Sequence, residues 1–563
     1  MAKIGKNGTN SSEPKSITNN DATSKLELWL HAPGMDVMLR AGLGGLAAVL
    51  QQMENTSNEI RDKSALPGWP WKDDSPPWTI DMERIVLDFK EPQLAGEFMK
   101  RLFEFAFRID KKEEVIDLPA TYDIQSGQDR LVRAQLQRGL MLTFLQHGQS
   151  RKTAKDDEER SIEIDGKPIS YSVRPVYSYK HQTGYEDLVD PKKGTILNKA
   201  MELPGTLYPG AAVRHNKFNS HTKHEATATE LIAAYFALIG TLALPVNRGS
   251  AVLLVPHVTD LIHFAANRNC ITPGRYQDCL IGGTGDAVLG IYAKRQKEDI
   301  SFHLKVPAIS AYLFQPTAWA SQQKSRVAGI RVESLDPVST RVFSYASTHL
   351  RAQLRTRVVK EVAGKKKAKV TKEVEQSFWS TSIVKPLIAD NLANHRAWFT
   401  GFVGLFTRKD PANGKPLRSR LFFEKEGLAQ MVKANVWSDE GQRALVTGVQ
   451  FALSCQFGKI SGEFSRNPQG MKNKFQKEFE KWRIQFASAK TADQFRFSVC
   501  NLMSRARGNE SIQKNWQQVL PLLTDSGWQH GRDLALLALA AYQGKGDKET
   551  AELDNQENES IDS

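Results

Sequence analysis

At 563 residues, with 40% hydrophobic and 25% charged side chains and a formal net charge of +13, the chain is neither mostly disordered nor fibrous, and it exceeds a single hydrophobic core. The excess of base points to a polyanionic partner such as nucleic acid or an acidic membrane surface. After Lys548 the chain carries Glu549, Glu552, Asp554, Glu557, Glu559 and Asp562 with no base, so the remainder is more positive than the total.

Residues 1–24 are polar, lack the apolar stretch of a secretory signal, and read as a disordered leader. LELWLH, Leu26 to His31, alternates like a strand and is broken by Pro33 and Gly34. Asp36 is placed to cap a helix through VMLRAGLGGLAAVLQQM, where Leu39, Leu43, Leu46 and Leu50 recur at helical spacing. Gly42, Gly44 and Gly45 would each weaken an isolated helix by about 1 kcal/mol, so their expected purpose is close approach to another backbone. The Pro- and Trp-rich stretch from Leu66 to Ile80 reads as an irregular loop pinned to the core by Trp69, Trp71 and Trp78, with base stacking as the alternative.

From Thr79 to about Tyr345, short β-rich segments (IVLDF, SIEID, ISYSVRPVYSY, AVLLVP, SFHLKV) alternate with helices. The apolar run from Leu231 to Leu244 falls short of the roughly 20 residues a bilayer span needs and reads as a buried core helix. From about Ser382 helical periodicity takes over. The predicted class is α+β: a mixed body over 25–381, a C-terminal helical bundle over 382–545, and an acidic disordered tail over 546–563.

GxxxxGK[ST], HExxH and GxSxG patterns are absent, which withdraws local support from ATP hydrolysis, zinc proteolysis and α/β-hydrolase chemistry. GGTGDAVLG, Gly282 to Gly290, lacks a phosphate-loop lysine and reads as a turn before a helix. Cys270, Cys279, Cys455 and Cys500 form no CxxC pair or metal rhythm, which suits buried thiols in a reducing cytoplasm. In the segment from Arg214 to Glu225, Arg214, His215, Asn216, Lys217, Asn219 and Lys223 suit phosphate oxygens and base edges. The alternative is a metal-dependent nuclease with His215, His221, His224 and Glu225 as ligands, against which the fixed charges of Arg214, Lys217 and Lys223 act. His257, Asp260 and His263, set among apolar neighbours, read as a helix N-terminus rather than a second metal centre. No cofactor is expected.

The densest charge runs from Arg341 to Lys372, with Arg351, Arg355, Arg357, Lys360, Lys365, Lys366, Lys367 and Lys369 against one acid, Glu361. QLRTRVVKEVAGKKKAKVTKEV alternates on both sides of AGKKK, which predicts a β-hairpin near 351–374 with a basic tip at Gly364, shaped to lie along a duplex backbone. In MKNKFQKEFEKWRIQF, an apolar stripe of Phe475, Phe479, Trp482 and Phe486 gathers Lys474, Lys477 and Lys481 on a flank suited to a single strand. Arg483, Arg496, Arg505 and Arg507 are weaker additions.

Five patches in chain order carry a resemblance. They are LHAPGMDVMLRAGLGGLA (Leu30 to Ala47), the Arg214 and His215 pair followed by YFALIG, LLVPHVTDL (Leu253 to Leu261), KPLIADNLANHRAWFTGF (Lys385 to Phe402) and GRDLALLALAAY (Gly531 to Tyr542). Together they resemble the large subunit of type I CRISPR Cascade complexes, closest to the I-A/I-B-like, MYXAN-type group. The resemblance implies a non-catalytic subunit that recognises a protospacer-adjacent motif in duplex DNA and stabilises the R-loop while guide RNA reads the target. It implies as partners the guide CRISPR RNA, the target double-stranded DNA and its displaced strand, and the Cascade backbone and handle-binding subunits. It also implies small subunits made from an internal start near Met431 and a recruited helicase-nuclease or transposition adaptor, with no membrane. An RNA-binding scaffold without DNA recognition remains a further alternative.

Overall fold

The computed structural model describes residues 23–60, 76–164, 166–203, 207–209, 225–247, 249–297, 306–317, 324–333, 335–363, 370–410, 414–434, 436–506 and 510–544. It opens with β1 (Lys25–Trp29) and α1 (Val37–Ile60), where Asp36 is the cap its position predicted: its Oδ1 accepts the Leu39 N–H at 2.9 Å. β2 (Trp78–Ile80) and β3 (Arg84–Asp88) join β1 in an antiparallel sheet with β3 central. Trp78 is buried edge-on against Phe98 of α2 (Ala95–Ala106), with ring centroids 6.2 Å apart, so it pins its segment to the core. Trp69 and Trp71 lie outside the described residues.

β4 (Glu158–Ile164) and β5 (Lys167–Val173) form a hairpin that a later pair of strands extends. The core helix, α3 (Ala228–Gly240), opens on a capping box between Thr227 and Glu230 and is buried from Leu231 to Gly240. The run to Leu244, read as one helix, breaks at Gly240, and β6 (Leu242–Asn247) follows. The cause is tertiary: buried Arg268 donates to the Ile239 and Thr241 carbonyls and the Thr272 hydroxyl, absorbing terminal carbonyls that a longer helix would have used. Burial lowers the Arg268 pKa to about 10. β6 pairs with β7 (Ser250–Pro256), then β8 (Ala308–Thr317) and β9 (Lys324–Glu333), in an antiparallel sheet. Of the strand expected over SFHLKV, only Val306 is among the described residues, and it is buried.

Two of the three glycines of α1, Gly42 and Gly45, serve the close backbone approach expected of them. A Cβ on Gly42 would fall 1.9 Å from the Ala233 carbonyl oxygen, one on Gly45 2.5 Å from that of Phe236, and one on Gly240 1.7 Å from that of Ala41. α1 and α3 therefore touch backbone to backbone. Gly44 instead makes room for the Phe264 ring, 2.5 Å from its ideal Cβ.

Helices α4 (Thr284–Lys297) and α5 (Pro337–His349) precede the hairpin of β10 (Gln353–Ala363) and β11 (Val370–Ser380). Thereafter the named elements are helices: α6 (Val384–Ala393), α7 (Val403–Thr407), α8 (Arg418–Leu421), α9 (Lys425–Lys433), α10 (Glu440–Glu463), α11 (Pro468–Ala487), α12 (Ala492–Ser504) and α13 (Trp528–Ala540), with short turns between. The class is α+β, with a mixed N-terminal body and a helical C-terminal part. No helix among the described residues is long and apolar enough to cross a membrane.

His181 is fully buried among Phe107, Tyr235, Tyr179 and Phe144, and neither ring nitrogen has a hydrogen-bond partner among the described residues. Burial, with a smaller contribution from Lys180, pulls its pKa from 6.5 to about 3.

Two outcomes follow from this packing. Gly42→Ala drives a methyl into a carbonyl and should cost about 3 kcal/mol or prevent folding, whereas Gly290→Ala, in the open on α4, should be neutral or gain up to about 1 kcal/mol. Denaturant midpoints of the two variants check this. Between pH 6.5 and about 3 the unfolded imidazole holds a proton that the folded one refuses, so stability falls as pH drops through that window, by up to about 1.4 kcal/mol per unit. His181→Phe should flatten that part of a melting-against-pH profile.

Candidate nucleic-acid interface

The two strands of the charge-rich hairpin pair, with Gln353 opposite Ser380 at its root and Ala363 opposite Val370 at its far end, so the second strand runs on to Ser380, past the expected end near 374. β11 also pairs in parallel with β5 at Ser377 and Ile169, giving a four-stranded sheet ordered β10-β11-β5-β4. Lys365, Lys366, Lys367 and Lys369, at the tip, lie outside the described residues. Arg357 sits in β10 opposite Gln376. The register also sets Lys360 opposite Glu373 and Glu361 opposite Lys372. The returning strand therefore brings acids alongside a run that looks almost purely basic when read linearly.

At the root, basic groups from three elements converge. Arg351 is exposed just before β10. Arg355 is half-buried, with its guanidinium carbon 3.8 Å from the Phe423 ring centroid and its Nη2 donating to Gln353 Oε1 at 3.1 Å. Its Nε has no partner among the described residues, and burial lowers its pKa. Arg420, on α8, donates to the Thr381 carbonyl at 2.6 Å and pairs with Asp410 at 3.4 Å. Glu424 closes the floor: it accepts the Ile383 and Val384 N–H groups at 2.7 and 3.3 Å, together with the Ser382 hydroxyl, and so caps α6 from outside. Burial raises its pKa despite those bonds. Arg351, Arg355, Arg420, Phe423 and Glu424 line one cleft.

The second basic surface is joined to this one. Arg418, also on α8, reaches Glu480 of α11 at 3.5 Å, and one turn before Glu480 stands Lys477, with Lys474 another turn back. Lys474 and Lys477 are exposed and make no ion pair among the described residues. Lys481 is taken up by Glu478 at 3.3 Å and by the Trp482 ring, 5.1 Å away. Arg483 pairs with Glu480, Arg496 with Asp493, and Arg505 stacks over Trp482, while Arg507 lies outside the described residues. The apolar stripe of α11 is deepest at Trp482 and Phe486. Trp482 donates to Gln456 of α10 at 2.9 Å, which fixes the face that α11 turns outward.

Arg418, Arg420, Phe422 and Phe423 were not singled out from sequence. Their signal was two arginines spaced by one residue and followed by two aromatics, in RSRLFF.

Arg214, His215, Asn216, Lys217, Asn219 and Lys223, with His221 and His224, lie outside the described residues. Glu225 pairs across from Glu202 in a two-residue ladder. Among the described residues no group of three His, Cys, Asp or Glu could hold a metal ion. Asp260 spends both oxygens on His263, accepting its N–H at 3.0 Å and contacting its Nδ1 at 2.9 Å, as a helix cap rather than a metal ligand. His257 pairs with the Ser310 hydroxyl at 2.8 Å. The Gly282 to Gly290 segment opens α4, and its Asp286 is buried against Lys385 at 2.9 Å.

Two family models match the chain: the DevT N-terminal domain over residues 27–235 and the DevT C-terminal domain over residues 433–563. The chain is 34% identical over 551 residues to a protein of Myxococcus xanthus (strain DK1622) named CRISPR-associated protein Cas8a1/Csx13, covering 94% of this chain and 90% of that one. α11 falls inside the C-terminal match; the hairpin and α8 lie between the two.

Glu424→Ala strips acceptors from two buried N–H groups and should cost about 2 kcal/mol, whereas Glu424→Gln, which keeps one acceptor oxygen, should cost less. Thermal melts of the two variants, ranked against wild type, test the cap.

Proposed function

The chain belongs to the Cas8a1/Csx13 family of CRISPR-associated proteins, large subunits of type I Cascade complexes, and on that premise we propose that it recognises a short protospacer-adjacent motif in duplex DNA and stabilises the R-loop. In this reading guide RNA supplies the sequence specificity, Cascade backbone and handle-binding subunits hold the guide, and cleavage or transposition belongs to a recruited helicase-nuclease or adaptor. The placement within the I-A/I-B-like, MYXAN-type group, a cytoplasmic setting for the four free cysteines, and the division near residue 382 are parts of the same proposal. The C-terminal family match begins at residue 433, just past Met431, which supports an internal start there.

One observation carries the reading: Arg351, Arg355 and Arg420 line one cleft at the hairpin root, and Arg418, on the same short helix as Arg420, reaches Glu480 of α11, one turn from exposed Lys477 and two from exposed Lys474. Basic groups gathered on neighbouring elements neutralise phosphates and fix register on a strand without reading bases. Base reading is assigned to the segment carrying Arg214, His215, Asn216, Lys217, Asn219 and Lys223, whose amides and guanidinium suit base edges. The net charge of +13 supplies the long-range attraction.

The test is equilibrium binding of the assembled complex to target duplex over a salt series. Lys474→Gln with Lys477→Gln should weaken all motif variants alike and flatten the log–log salt slope by about 1 per lost contact. Asn216→Ala or Asn219→Ala, if either reads a base, should cost about 1–3 kcal/mol on the preferred motif and narrow the gap to its variants. An unchanged salt slope in the lysine variant would remove the basic course from the proposal.

A further inference from the structure

Phe422 and Phe378 are 48% and 37% exposed, which for single surface rings is ordinary. These two are not scattered. Phe378 is directly across the ladder from Arg355, Arg355 lies over Phe423, and the Phe422 and Phe423 centroids are 6.0 Å apart. The hairpin root thus presents a guanidinium on one ring and a second, exposed ring against the first, with Arg351 and Arg418 exposed and Arg420 two residues before Phe422.

The chemistry of that arrangement is selective. Phosphate neutralisation needs only the cations; exposed aromatic faces beside them add nothing to a duplex, whose bases are already stacked on one another. An unpaired base has a free face, and stacking it on an aromatic ring is favourable for every base type. The Phe423 ring is taken by Arg355. The Phe422 ring is turned 79° from it and so is not part of that stack.

We propose that the hairpin root is a stacking site for an unpaired nucleotide, with Phe422 as the platform and Arg351 and Arg418 on the flanking phosphates. This rests on the nucleic-acid reading above and deepens it: at the hairpin root the basic groups would hold an opened strand, not an intact duplex.

The experiment measures fluorescence anisotropy of the full chain at low salt with three labelled probes: a single-stranded thymidine oligonucleotide, an abasic oligonucleotide of the same length, and a duplex. Phe422→Ala should weaken the thymidine probe about tenfold and leave the abasic and duplex probes unchanged, while Phe422→Trp retains binding. Arg351→Gln should weaken all three. Phe422 is exposed, so the fold should survive substitution, and a melting curve verifies it. Binding of every probe with no effect of Phe422→Ala, or an equal loss on the abasic probe, overturns the stacking site while the nucleic-acid reading stands. Failure to bind any probe, in the chain alone and in the assembled complex, overturns both.

Discussion

The direct contact of two helix backbones, α1 against α3, is the constraint on which the rest of the body depends. Gly42 and Gly45 on one helix and Gly240 on the other leave no side chain between them, so each carbonyl wall lies where a Cβ would be. That closeness forces the order of what surrounds it. α3 is buried along its length, Arg268 must satisfy its last carbonyls, and the chain turns directly into the β6 to β9 sheet. The Tyr235 hydroxyl donates to Asp187, and the ring of the same residue walls the His181 cage. Packing and polar satisfaction are therefore one problem here: the closer two backbones approach, the fewer routes remain for the groups at their ends.

The helical part is docked by carboxylates that cap helices remote in sequence. Glu424 holds the start of α6, and Asp533 of α13 accepts the Gly401 and Val403 N–H groups at 2.7 and 2.9 Å, at the start of α7. Burial raises the pKa of both, and the oriented N–H groups act against that rise. A buried ion pair, Lys385 with Asp286 at 2.9 Å, ties α6 to α4. These caps place α8 between the hairpin root and α11, and so decide that two basic regions more than a hundred residues apart in the chain become neighbours.

Much of the site's chemistry was legible in the residues, and its geometry was not. The hairpin followed from alternation on either side of AGKKK, and the exposed Lys474 and Lys477 from the apolar stripe of α11. The bridge between them through Arg418 did not, because an ion pair from α8 to Glu480 leaves no periodic trace. Nor did linear counting reveal that Glu373 stands opposite Lys360 in the backbone register of the hairpin, since register acts on pairs that sequence separates. Lys481 shows the same limit: its spacing matches that of Lys474 and Lys477, yet Glu478 and Trp482 occupy it.

By itself the sequence determined the α+β class, the cap at Asp36, the glycine-bearing helix, the hairpin strands and the family resemblance, because each rests on local propensity or on short-range periodicity. Tertiary structure alone decided where α3 stops, which cations stay exposed, and which rings stand beside them. Those outcomes depend on partners distant in the chain, Arg268 for the helix end and Glu480 and Phe423 for the arginines, and no local pattern encodes a distance across the fold.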